Sequence, residues 1–252
     1  MRGLFCKDIK RSFCNIGFMA GLTTLTVLFL AAVILGAPLD HTRSSYFIMA
    51  SAFAASGFTP FAAVFPVLAY ASNFCEEYQS GYYRMIFSRM GPEKFGIIRT
   101  VSVAMSGGVI VALPILLVCV IALQFGIPGI PQGSDEGLWQ GTVMLTYIAK
   151  YGDWYIVAGK VLLGFLFGCI WALVGLAFAV WIPNRYVALI APFVLYESLW
   201  LGLENVPILN PIMLLRGDDL NSYPLSVLME SVWLLAVSMI VLAGMRRRYR
   251  NG

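Results

Sequence analysis

The sequence predicts an all-α, polytopic membrane protein built as one domain over residues 1–252. Three observations carry that prediction. Hydrophobic residues make up 60% of the chain and charged residues 12%, against about 45–50% and about 25% in soluble domains, and mean hydropathy is +0.81. Several apolar runs reach the roughly 20 residues that a helix needs to cross about 30 Å of hydrocarbon. The lysines and arginines collect beside alternate ends of those runs, as membrane topology requires. An open sheet is excluded because its unpaired backbone groups would find no water in lipid.

Residues 1–14, MRGLFCKDIKRSFC, place Leu4, Phe5, Ile9 and Phe13 near one helical face and Arg2, Lys7, Lys10 and Arg11 on the other. That pattern suits an interfacial helix ahead of the first span, and equally a basic flank that sets topology. Span 1 covers about 17–36, where Gly17 and Gly21 form one GxxxG, a close-packing signal. A loop with Asp40, His41 and Arg43 leads to span 2, about 46–70. Pro60 and Pro66 predict a kink inside that span.

Span 3 covers about 95–123. The long loop 124–153 follows, and its second half can form a short interfacial helix. Span 4, about 154–181, carries Gly164, Gly168, Ala172, Gly175 and Ala179 at spacings of three and four, which predicts tight helix packing on one face. The turn Ile182–Arg185 enters span 5, about 186–203. Residues 204–224 are too short to span and are broken by Pro207 and Pro211, so short re-entrant or interfacial pieces are expected there. Span 6 covers about 225–245, and the chain ends in a basic tail.

Six spans put both termini on one side. Thirteen of the seventeen Lys and Arg fall on that side: four at the N-terminus, four between spans 2 and 3, Arg185, and four in the tail. The positive-inside rule makes that side cytoplasmic. The net charge of +4 thus follows membrane flanks, and no basic patch with interleaved aromatics points to nucleic acid. Five cysteines without CxxC pairing predict no structural disulfide.

Between spans 2 and 3, residues 73–99 hold seven of the thirty charges. Glu76 and Glu77 stand just beyond the membrane, and Tyr82, Met85, Ile86 and Met90 share a helical face with Arg84 on another. Gly91-Pro92 then stops one helix and starts the next, with Glu93 favouring the new N-terminus. A short amphipathic helix held between two spans can transmit force from a partner. The competing reading is a charged loop that only sets topology.

Here the chain resembles the membrane subunits of type-2 ABC transporters, including compact six-span bacterial permeases of bacteriocin-immunity and drug exporters. E-x-x-x-G at Glu77–Gly81, the apolar pair Met85-Ile86, Arg89, and Arg99 near the start of span 3 carry the resemblance. It implies an N-terminal interfacial helix, a cytoplasmic coupling helix within 73–94, and re-entrant segments before span 6. It further implies ATPase-coupling residues Glu77, Gly81, Tyr82, Arg84, Met85, Ile86 and Arg89. The implied partners are a P-loop ATP-binding subunit, which carries ATP and Mg, and a second permease chain, within the lipid of a bacterial plasma membrane. The implied activity is export of a peptide, an antibiotic or another amphipathic substrate. No G-x-x-x-x-G-K-[ST] phosphate loop occurs in the chain itself, so no cofactor and no catalysis are expected on it.

Lys160, Glu197 and Glu230 fall inside spans 4, 5 and 6, each about 8–9 Å from the outer end. Intramembrane ionisable residues usually face a cavity or a partner. The three are expected to form a polar cluster, as a structural ion pair or as part of a substrate path; the alternative is a snorkelling lysine with two interfacial glutamates. A stand-alone carrier or channel would need no ATPase. Intramembrane proteolysis is disfavoured: Glu76-Glu77 resembles the EExxxR motif of prenyl-protein proteases, but Gly81 occupies the arginine position and His41 is the only histidine.

Overall fold

A computed structural model describes residues 2–36, 43–71, 73–83, 85, 91–129, 148, 150–217 and 222–251. Among these the chain is helical apart from turns and one isolated bridge between Ser44 and Ile127. Four helices are long and apolar enough to cross a membrane: α2 (Ile16–Gly36), α7 (Pro92–Phe125), α8 (Asp153–Trp181) and α11 (Tyr223–Asn251). A bent unit qualifies as a fifth, formed by α3 (Ser45–Ala55), α4 (Phe58–Phe61) and α5 (Val64–Tyr70). The remaining helices are α1 (Arg2–Phe13), α6 (Asn73–Gln79), α9 (Arg185–Gly202) and α10 (Pro211–Arg216). α9 coincides with the fifth expected span, but with Arg185 and Glu197 in its 18 residues it is not among the four.

α2 is apolar all round, and its buried stripe of Phe18, Gly21, Leu25, Phe29 and Val33 follows the helical period. Ile16, Val27 and Leu35 face outward, as lipid contact requires. The GxxxG of α2 lies against α5: a Cβ on Gly17 would stand 2.1 Å from the Leu68 carbonyl oxygen.

Span 2 is bent by 59°, as expected of a span that carries Pro60 and Pro66, neither of which can donate to the carbonyl four residues earlier, Ser56 and Ala62. The break falls at Ser56-Gly57, where Gly57 takes φ +60, a left-handed conformation open to glycine. Pro60 and Pro66 each occupy the first turn of the short helix that follows a break, α4 and α5, where a proline is tolerated and an unbroken helix through it is not. The restart at Gly91-Pro92 is as expected: Gly91, at φ +78, precedes Pro92, which opens α7, and Glu93 sits in its first turn; the helix expected to stop there falls largely outside the described residues.

The small-residue stripe of α8 is the seam of the bundle. A Cβ on Gly168 would meet the Gly107 carbonyl oxygen at 2.4 Å, and one on Gly107 would meet the Ala172 Cβ at 2.3 Å. Gly164 and Gly175 admit Ile115 of α7 and Val67 of α5 in the same way. Backbones approach this closely only where neither helix carries a side chain.

After α9 the chain turns back through 203–209. Asn210, 1% exposed, holds the reversal: its amide donates to the Trp200 and Leu203 carbonyls at 3.1 and 3.3 Å, and its Oδ1 accepts from Ile212 N at 3.0 Å. Pro211 starts α10, and Gly217 at φ +60 ends it. α11 runs past the expected end at Met245 to Asn251, because the arginine tail contains no helix breaker. The expected interfacial helix of the 124–153 loop, and Asp40 and His41, lie largely or wholly outside the described residues.

Candidate functional site

At one end of the bundle α1, α6, the start of α7, the end of α8, the start of α9 and the end of α11 come together, so both chain termini lie at that end. The centre of the assembly is Arg99. About two turns into α7, it is 1% exposed. One terminal nitrogen lies 3.1 Å from Asp8 Oδ1, and the other donates to Glu77 Oε2. The guanidinium also stacks over the rings of Tyr70 at 4.7 Å and Phe95 at 5.3 Å. Tyr70 O–H donates to Asp8 Oδ1 at 3.1 Å. One cation thus serves two carboxylates, and four helices (α1, α5, α6 and α7) meet in a single ionic joint.

Each partner arrives by local sequence logic. In α1 the side chains of Phe5, Ile9 and Phe13 are half-buried, while Lys7, Lys10 and Arg11 point away. Asp8 and Ser12 lie on the same stripe as Phe5 and Ile9, one turn apart, and both are buried. The Ser12 hydroxyl satisfies itself on the Ile9 carbonyl at 2.8 Å; Asp8 has no such local option and reaches Arg99. Glu77 is carried inward by α6, whose Phe74 and Cys75 are buried. Burial, with Glu76 adding to it and Arg185 opposing, raises the Cys75 thiol above its ordinary range, which disfavours the thiolate.

A second contact ties the C-terminus to the same end. Arg248 of α11 donates from Nε to the Val180 carbonyl at 2.9 Å and from Nη2 to the Trp181 carbonyl at 2.7 Å. These belong to the last turn of α8, whose carbonyls have no intrahelical donor. Its Nη1 donates to Tyr78 O–H at 3.2 Å, and Tyr78 stacks on Tyr83 at 4.8 Å. Two exposed ion pairs complete the end, Arg185 with Glu76 at 3.0 Å and Arg246 with Glu93 at 3.2 Å. Pairs this exposed contribute little to stability.

Of the residues singled out in the sequence, Glu77 is in the joint. Gly81 has φ +70 and closes the turn after α6, its N–H donating to the Tyr78 carbonyl at 3.2 Å. Tyr82 and Met85 are 40% and 59% exposed, whereas Tyr83 is buried. The visible part of the segment therefore turns Tyr82 and Met85 outward. Arg84, Ile86 and Arg89 lie outside the described residues. Asp8, Tyr70, Tyr78 and Arg248 were not singled out. Asp8 carried a signal: it is the only acid before Asp40 and shares the stripe of Phe5 and Ile9.

No ion pair or hydrogen bond joins Lys160, Glu197 and Glu230 to one another; each has its own surroundings. Lys160, 5% exposed, donates to the Arg216 carbonyl and lies 5.7 Å from the Phe53 ring centroid. With Tyr46, Thr59 and Ile212 it lines a cavity of about 140 Å³. Glu197 is half-buried on α9, and its Oε1 is shielded without a partner. Glu230 is 1% exposed and faces an apolar pocket. The five cysteines are free, and among the described residues no three His, Cys, Asp or Glu side chains form a metal-ligand set.

Comparison with protein-family profiles, curated proteins and solved structures finds no match to this chain.

Proposed function

We propose that the chain is the permease subunit of a type-2 ABC transporter, driven by a separate P-loop ATPase and working with a second permease chain in a bacterial plasma membrane. In this reading α2, the bent α3–α5 unit, α7, α8, α9 and α11 make six crossings with both termini cytoplasmic. The position of thirteen of seventeen Lys and Arg supports that orientation. α9 supports the fifth crossing, because 18 residues rise about 27 Å from Arg185 at the charged end.

The observation that carries the proposal is the buried joint of Arg99 with Asp8 and Glu77. Glu77 belongs to the segment that a motor would push, and Arg99 belongs to a 34-residue apolar helix. A displacement of Tyr82 and Met85 by a docked partner is passed to α7 and α1 through this joint, since separating it would leave charges buried and unpaired. Export of a peptide, an antibiotic or another amphipathic molecule is the matching activity.

Affinity purification of the chain from its native membrane tests the proposal. A P-loop ATPase should co-purify, transport in vesicles should require ATP, and deleting residues 82–90 should abolish association with membrane insertion intact. Full activity of the chain alone without ATP would overturn it. That outcome would favour a stand-alone carrier, to which the buried carboxyl of Glu230 also lends itself.

A further inference from the structure

Glu230 is the charged side chain that the joint and its neighbours leave unexplained. Four charged residues are buried among the described ones. Asp8 and Arg99 answer each other, and Lys160 donates to a backbone carbonyl. Neither carboxylate oxygen of Glu230 has a hydrogen-bond partner. Its surroundings are Phe167, Ile170 and Trp171 of α8, Pro211 and Leu214 of α10, and Trp233 of α11. An ionised carboxylate alone among such groups is costly, and a charged residue inside a membrane helix normally faces a counter-charge.

The walls restrict what that counter-charge can be. A hard metal ion needs several oxygen ligands, and the pocket lining offers no side-chain oxygen besides those of Glu230. Aromatic ring faces, by contrast, attract organic cations. The rings beside Glu230 continue into a larger cluster. Trp171 meets Tyr196 edge-on at 5.1 Å between centroids, and Phe167 lies 6.0 Å from each of them. The void beside the carboxyl is about 10 Å³, room for roughly one water, so the pocket is closed in this structure. Trp233 is its half-buried wall, and its neighbours Val232 and Leu235 face outward at 53% and 65% exposure. A ligand enters only if a wall moves, and Trp233 is the one lining side chain that is not fully buried.

We propose that Glu230, with Phe167, Trp171 and Trp233, is a binding site for a lipophilic organic cation that enters from the lipid side past Trp233. In the empty site a proton neutralises the carboxyl. As the cation binds, the carboxyl O–H bond breaks, the carboxylate keeps the electron pair and faces the ligand, and the proton leaves to bulk water. No covalent bond to the ligand forms. On the packed helices, Cys169 of α8 lies within electrostatic reach of Glu230, and its thiol is held by the Ala104 carbonyl at 3.1 Å. Lys160 of α8 and Arg216 of α10 line the other cavity. The exchanged proton is therefore assigned to Glu230. The site needs only this chain and does not depend on the ATPase reading.

The test uses the full chain in lipid nanodiscs with tetraphenylphosphonium as probe, titrated calorimetrically near neutral pH in buffers of different ionisation heat. Empty nanodiscs correct for partition into lipid. Saturable binding with close to one proton released per cation is expected, and tetraphenylborate, of the same shape and opposite charge, should not compete. Glu230→Gln should weaken binding by about tenfold or more and abolish the proton release. Absence of saturable binding to the unaltered chain, competition by tetraphenylborate, or a Glu230→Gln chain that binds and releases protons like the parent would each overturn the proposal. The first two readouts need no variant, so they decide the matter even if the substitution disturbs folding.

Discussion

Replacing Arg99 by methionine removes the cation that Asp8 and Glu77 share while keeping most of the buried stem. The side chains of Arg99, Asp8 and Glu77 are 1%, 8% and 15% exposed, so little water is available to take over from the guanidinium. Breaking a buried pair by removing one partner costs about 3–5 kcal/mol, and here two carboxylates are left facing each other. Arg99→Met should therefore lose stability in that range, read as a fall in the detergent unfolding midpoint. Asp8→Asn should cost less, about 1–2 kcal/mol, because Arg99 keeps Glu77 and the Tyr70 hydroxyl can still donate to the amide oxygen. The triple variant Asp8→Asn, Glu77→Gln, Arg99→Met should recover much of the loss, since a joint without charge needs no counter-charge. An Asp8–Arg99 double-mutant cycle should give a coupling above about 0.5 kcal/mol. Wild-type stability of Arg99→Met, or a coupling near zero, would refute the assignment of a shared buried cation.

Three further predictions address the seam, the C-terminal contact and the partner surface. Gly168→Ala should lower the unfolding midpoint by a cost of about 1–3 kcal/mol, because its Cβ would stand 2.4 Å from the Gly107 carbonyl oxygen; Gly202→Ala, with nothing within 4 Å, is the matched control. Arg248→Ala should cost about 1–3 kcal/mol, since the Val180 and Trp181 carbonyls lose a charged donor, and hydrogen exchange in the last turn of α8 should rise. Met85→Asp, at an outward position, should reduce recovery of a co-purifying ATPase at unchanged unfolding midpoint, measured by quantitative pull-down.

Local signals were readable wherever one residue type has one physical meaning. Pro92 preceded by Gly91 and followed by Glu93 located the start of α7, and the Gly-Ala stripe of span 4 located the face that meets α7. The kink of span 2 was readable from Pro60 and Pro66, whereas the part played by Gly57, whose positive φ places the break, was not. α11 continues past the apolar span that ends near Met245, because hydropathy reports where lipid ends, not where hydrogen bonding ends.

The charged residues mark the same boundary between pattern and tertiary structure. Composition and the placement of Lys and Arg sufficed for a helical membrane protein with a charged end, because apolar length and charge position act locally on insertion. Lys160, Glu197 and Glu230 share a depth along their helices, yet the rotation of each helix sends them to different surroundings. Asp8 and Arg99 are 91 positions apart in number, and no spacing rule joins them. Only the packing of α1 against α7, which removes both from water together, makes them partners.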